Sequence, residues 1–109
     1  MPKSPFFYMV GMNVPADTTA KELADFNDFY SNTHVHEVLA NNPGFSNPTR
    51  YELFTPGAVG PRFLAMYEVD SEAAAQGHLN RRSGVTYSKG PVAWEKHDTI
   101  WRLSYRLIP

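Results

Sequence analysis

Residues 29 to 52 read FYSNTHVHEVLANNPGFSNPTRYE, and the meaning of the Pro43-Gly44 pair inside that run decides the architecture. Upstream, residues 17 to 41 contain neither proline nor glycine. They read as one long helix that starts at an Asp17 cap and either frays or kinks near residue 35, and Pro43-Gly44 ends it. Downstream, residues 45 to 55, FSNPTRYELFT, set Tyr51 and Leu53 against Glu52 and Phe54, the alternation of a strand. Pro48 in that run suits an edge or a bulge.

Further out, residues 5 to 14 (PFFYMVGMNV) form an aromatic, apolar first strand. Residues 56 to 61 (PGAVGP) are a turn, and residues 62 to 70 (RFLAMYEVD) repeat the strand pattern, so the second and third strands pair as a hairpin. DSEAAAQGHLNRR, residues 70 to 82, opens on capping residues and makes a second helix, weakened by Gly77. An irregular connector fills residues 83 to 97, and DTIWRLSYRLI, residues 98 to 108, is the last strand. The order β-α-β-β-α-β with right-handed crossovers predicts a ferredoxin-like α+β domain: a four-stranded antiparallel sheet with both helices on one face. The other face is left bare and aromatic, so a two-fold homodimer packed sheet to sheet is expected.

The 109 residues suit a single domain. Seven Phe, six Tyr and two Trp favour aromatic packing or an aromatic-lined cavity. A net charge of −1 with scattered Lys and Arg gives no nucleic-acid footprint. The Arg81-Arg82 pair reads most simply as a complement to the negative end of the second helix, ahead of a phosphate site. The lack of cysteine excludes disulfides and thiolate chemistry. The amino-terminal run alternates and meets Asn13 and Pro15 instead of forming a leader, so a cytoplasmic protein is expected. No apolar stretch approaches the ~18 residues of a membrane span.

On a helix stepping ~100° per residue, Leu23, Phe26, Tyr30, His34 and Val38 share the stripe that meets the sheet. His36 then points away from His34, so the two cannot hold one metal, and no metal site is expected. His34, one turn after Tyr30, could share a cavity with that phenol and exchange protons. From pattern alone, a core histidine bonded to a backbone carbonyl is the simpler reading. His78 reads as partly exposed, His97 as a turn ion pair with Asp98, and Glu37 as an exposed helix residue or a carboxylate orienting an imidazole. Tyr67, Trp94, Trp101 and Tyr105 read first as core or interface. Tyr67, Trp94 and Trp101, with Phe26 and Tyr51, are also candidate substrate-binding walls, because a phenol or indole joins an apolar face to a donor.

Tyr30, His34, Pro43-Gly44-Phe45 and Arg50-Tyr51-Glu52, followed by AMYEVDSEAAAQ and GPVAWEK, resemble the EthD-like branch of the dimeric α+β-barrel superfamily over most of the chain. Relatives often carry proline two residues after the helix histidine. His36 stands there in this chain, which implies a more regular helix end and keeps a pocket-facing His36 open. The superfamily includes isomerases, lactone-processing enzymes, cyclases, decarboxylases and cofactor-free or heme-associated oxygenases, as well as proteins without known activity, so the fold does not set the chemistry. The resemblance raises His34 to the first site candidate. It implies a general acid/base with Tyr30 as partner, in a cofactor-independent lyase or isomerase acting on a small aromatic, phenolic or lactone compound. The alternatives are a binding or accessory protein for an apolar ligand, or an oxygenase.

Overall fold

The computed structural model describes residues 4–55, 57 and 59–109. The first three residues of the amino-terminal run and positions 56 and 58 of the PGAVGP turn lie outside the described residues. The elements are β1 (Phe6–Asn13), α1 (Ala20–Phe29), a π-helical turn (Tyr30–His34), α2 (Val35–Asn41), β2 (Phe45–Glu52), β3 (Phe63–Val69), α3 (Glu72–Arg81), a 3-10 turn (Arg82–Gly84), α4 (Val92–Glu95) and β4 (Asp98–Arg106). The strands form one antiparallel sheet in the order β2-β3-β1-β4. This is the ferredoxin-like α+β fold, with β1 and β3 in the centre.

The helix is capped by Thr19, not Asp17. Thr19 Oγ1 accepts from the Glu22 N–H at 3.1 Å, and Glu22 accepts from the Thr19 N–H at 2.9 Å. The Thr-x-x-Glu spacing satisfies two orphan donors at once, which a lone aspartate two residues earlier cannot do. Ser71 caps α3 by accepting from the Ala74 N–H at 3.0 Å. Gly44, at φ +94°, ends α2 in a conformation that favours glycine, and its carbonyl accepts from the Asp70 N–H at 3.0 Å. The connector gains a short helix, α4, that carries Trp94.

The long helix is not uniform. Residues 30–34 form a wide turn in which the Val35 N–H donates to the Tyr30 carbonyl, five residues back. A regular ~100° step would put Val35 about 140° from Tyr30. The wide turn sets the two in line, and both are buried. The helix end is therefore less regular than the absence of proline at position 36 implies. Ser31, Asn32 and Thr33 fill the turn, residue types whose side chains compete for backbone hydrogen bonds. Arg50 from β2 ties down the same stretch. It donates to the Asn27 carbonyl at 3.2 Å, Asn27 Oδ1 at 2.9 Å and Ser31 Oγ at 3.1 Å, and lies 4.5 Å over the Tyr30 ring.

The core lies between the helices and the inner face of the sheet: Phe26, Tyr30, Val35 and Val38 pack against Tyr8, Met12, Phe45, Phe63, Ala65, Tyr67 and Val69. Register puts Phe7, Met9, Leu64, Met66, Leu103 and Tyr105 on the outer face. Tyr105 is 53% and Leu103 39% exposed there. At the Gly11/Met12 step β4 carries a bulge: Thr99 pairs with Met12, Trp101 pairs with Gly11, and Ile100 is extra. The strand thereby turns Thr99 and Arg102 inward and Trp101 outward. Gly11 leaves room for this, since a Cβ there would stand 2.9 Å from the Trp101 indole.

Candidate active site

The wide turn brings His34 into an aromatic cage. Its ring centroid lies 4.4 Å from Trp94, 5.0 Å from Tyr30 and 5.1 Å from Tyr87. These rings edge a cavity of about 310 Å³ between the helices and the inner sheet face, lined also by Tyr8, Tyr67, His78, His97, Arg82 and Arg102. That volume is at the lower end for small-molecule sites. His36 is exposed on the other side of the helix. Among the described residues, no three His, Asp or Glu converge as metal ligands.

Neither ring nitrogen of His34 has a hydrogen-bond partner among the described residues, and Nδ1 is buried. The backbone-bonded core histidine is thus not what the fold builds. Burial pulls the His34 pKa from 6.5 to about 4; Glu37 opposes the shift, and His97 and Arg102 add to it. The ring is neutral at pH 7 and keeps a free lone pair. Tyr30 is 2% exposed. Burial raises its phenol above the usual range against the pull of Arg50, so it stays protonated. Burial raises the Tyr67 phenol in the same way; its hydroxyl stands near the Tyr30 phenol but makes no hydrogen bond of good geometry.

His78 is 4% exposed and faces the cavity, contrary to its surface reading. Gly77 and the basic pair suggest exposure locally, but Asn42, 36 positions away in the chain, draws the ring inward. Asn42 Nδ2 donates to the Val38 carbonyl at 2.8 Å, which orients its amide. Asn42 Oδ1 then accepts from His78 Nδ1 at 3.0 Å and from Arg81 at 3.0 Å. The proton therefore sits on Nδ1, and the buried Nε2 is left as an unpaired acceptor. Burial, helped by Arg82, Arg81 and Arg102, lowers the His78 pKa to about 4. His97 makes no ion pair with Asp98. Its Nδ1 donates to the Trp94 carbonyl, and its Nε2 lies 3.4 Å from Thr99 Oγ1. Glu37 orients no imidazole: it accepts from the Ser88 N–H at 3.2 Å and from Ser88 Oγ at 2.7 Å, which pins the connector beside Tyr87.

Of the sequence candidates, His34, Tyr30, Tyr67 and Trp94 meet at the cavity. Phe26 lies behind it, fully buried against Tyr30, Phe63 and Trp94. Tyr51 and Trp101 do not join them: they border a separate depression on the outer face with Leu64 and Pro61. Sequence reasoning missed His78, Arg82 and Arg102 as lining residues.

No family model matches the chain, and neither does any curated protein. Solved structures do. A candidate monooxygenase from Shewanella loihica PV-4 is 19% identical, with a TM-score of 0.58 over 100% of this chain and 99% of the other. The heme-degrader MhuD of Mycobacterium tuberculosis, which holds two hemes in its active site, is 15% identical, with a TM-score of 0.55 over 96% and 97%. A dimeric ferredoxin-like protein of unknown function from Bacteroides fragilis NCTC 9343 is 12% identical, with a TM-score of 0.53 over 96% and 98%. At these identities the likeness is one of fold.

Proposed function

We propose that this chain is a single EthD-like domain that dimerises through its sheets and acts as a cofactor-independent lyase or isomerase on a small aromatic, phenolic or lactone compound. One observation carries the reading: His34 Nδ1, Tyr67 Oη and His78 Nε2, three buried polar atoms with no hydrogen bond of good geometry among the described residues, belong to residues of one cavity. An unmade buried hydrogen bond costs about 1 to 3 kcal/mol, so three at one site call for a polar ligand. His34 is the acid/base group. Its lone pair takes a proton from a carbon or hydroxyl activated by a neighbouring carbonyl, and the same imidazolium returns that proton at another atom. Isomerisation by this route needs no co-reactant. The protonated phenols of Tyr67 and Tyr30 supply hydrogen bonds to the developing oxyanion, and Trp94 and Tyr87 hold the ring of the substrate.

An oxygenase is the second reading, supported by the fold shared with the candidate monooxygenase. It would use the same deprotonation, with dioxygen as oxidant. Heme fits this cavity poorly. The free Nε2 of His78 could hold an iron, but Tyr8 and Phe45 close on the His78 ring at 4.6 and 5.2 Å, and about 310 Å³ is small for a tetrapyrrole.

The test is incubation of the protein with phenolic and lactone candidates in D2O, under argon and in air. Product formed under argon and lost in His34→Gln, with deuterium entering wherever the imidazolium exchanges with solvent before returning the proton, supports the lyase or isomerase. Product formed only in air, with oxygen consumed, supports the oxygenase. A bound ligand that gains no deuterium and forms no product marks a binding protein. A Soret band on adding heme would overturn the poor fit.

A further inference from the structure

Two arginines stand at the cavity, Arg82 from the 3-10 turn after α3 and Arg102 from β4, and no Asp or Glu lines it. Neither arginine has a carboxylate partner among the described residues, although Arg62 pairs with Glu52 and Arg106 with Glu72. Arg102 lies 3.4 Å from Thr99 Oγ1 and also reaches the Tyr8 phenol, two neutral oxygens and no carboxylate. Both guanidinium groups share the lining with Tyr8 and His78, and the positive charge of each bears on those two rings. The positive end stands out in a chain whose net charge is −1. Arg102 pairs with Val10 and shares its inner face, and the β4 bulge brings Thr99 to the same face.

We propose that the ligand of this cavity is a carboxylate: a small aromatic or lactone acid whose carboxylate lies between Arg82 and Arg102 and whose ring lies against Trp94 and Tyr87. A planar guanidinium matches a carboxylate in geometry as well as charge. The carboxylate would be anchored at the end near Tyr8 and His78, leaving the ring to reach His34. This rests on the reading of the cavity as the site above, and it narrows the substrate to an acid. A bound anion also favours the protonated form of both nearby imidazoles, which strengthens His34 as a base when the substrate is present.

The experiment is a protein-observed NMR titration with 1-naphthoate and with its neutral isostere 1-naphthalenemethanol, in wild type, Arg82→Gln, Arg102→Gln and the double variant. Naphthoate is expected to bind about tenfold or more tightly than the alcohol, with shifts at the Trp94 indole. Each single variant should weaken naphthoate about fivefold to tenfold, the double variant should abolish the preference, and the alcohol should change less than about twofold in all. Unchanged spectra away from the cavity certify that the variants fold. Equal affinity for the two ligands, a preference that survives the double variant, or no binding of either at millimolar concentration would overturn the proposal. His34→Gln separates the two readings: it should keep the preference for the acid even if no deuterium ever enters a substrate.

Discussion

The imidazole of His34 and the indole of Trp94, 60 positions apart in the chain, lie 4.4 Å from each other, centroid to centroid. One comes from the wide helical turn and the other from the short helix of the connector, so the site exists only when both irregular segments are in place. The contact adds to the burial that keeps the imidazole neutral.

If His34 moves the proton, His34→Gln should keep the fold and lower turnover by a factor on the order of 10² to 10⁴. His36→Gln, on the exposed side, should change turnover little. Steady-state rates on a substrate found in the deuterium screen decide this, and equal losses would contradict the assignment.

Acid should destabilise the protein in a defined window. His34 and His78 titrate near 4 when folded, against about 6.5 when unfolded, so between those values the unfolded chain binds more protons. Stability is therefore fully present above about pH 6.5 and declines as pH falls toward 4. The two sites together should withdraw on the order of 2 to 4 kcal/mol. Urea melts at half-unit pH intervals measure the slope, and His34→Gln should flatten it. A stability that stays level from pH 7 to 4 would refute the buried neutral pair.

Asn42 holds three groups at once, and its removal should cost more than one hydrogen bond. In Asn42→Leu the Val38 carbonyl and His78 Nδ1 lose their partner inside the core, for a loss of about 2 to 4 kcal/mol. Nitrogen-15 NMR of the His78 ring should also show a change of tautomer. An unchanged ring with an unchanged melt would show that Asn42 does not fix it.

The outer sheet face should hold two copies together. Wild type is expected to be a dimer at micromolar concentration by solution scattering, and Leu103→Glu, on β4 beside Met9 of that face, should be a monomer with an intact far-ultraviolet spectrum. A monomeric wild type would end the dimer reading.

Much of this could be read from the chain. The strand order follows from the element order and handed crossovers, and Phe26, Tyr30 and Val38 are buried where the helical stripe puts them. Thr19-x-x-Glu22 is legible in the chain as a capping box, a stronger start signal than the lone Asp17. What escaped depends on contacts distant in sequence or on changes of phase. The burial of His78 is set by Asn42, and Val35 joins the core because one turn takes five residues. Thr99 faces inward with Arg102 because Ile100 is extra, and strict alternation would put those two on opposite faces.

That extra residue has a consequence for how the protein can change. Arg102 and Trp101 lie on opposite faces by simple alternation, while Ile100 brings Thr99 onto the face of Arg102. Deleting one residue there would leave two outcomes: Thr99 leaves the cavity for the outer face, or Arg102 moves outward while Trp101, Leu103 and Tyr105 move inward. Point substitutions can tune either surface by itself, but a change in strand length at this step shifts one end of β4 against the other.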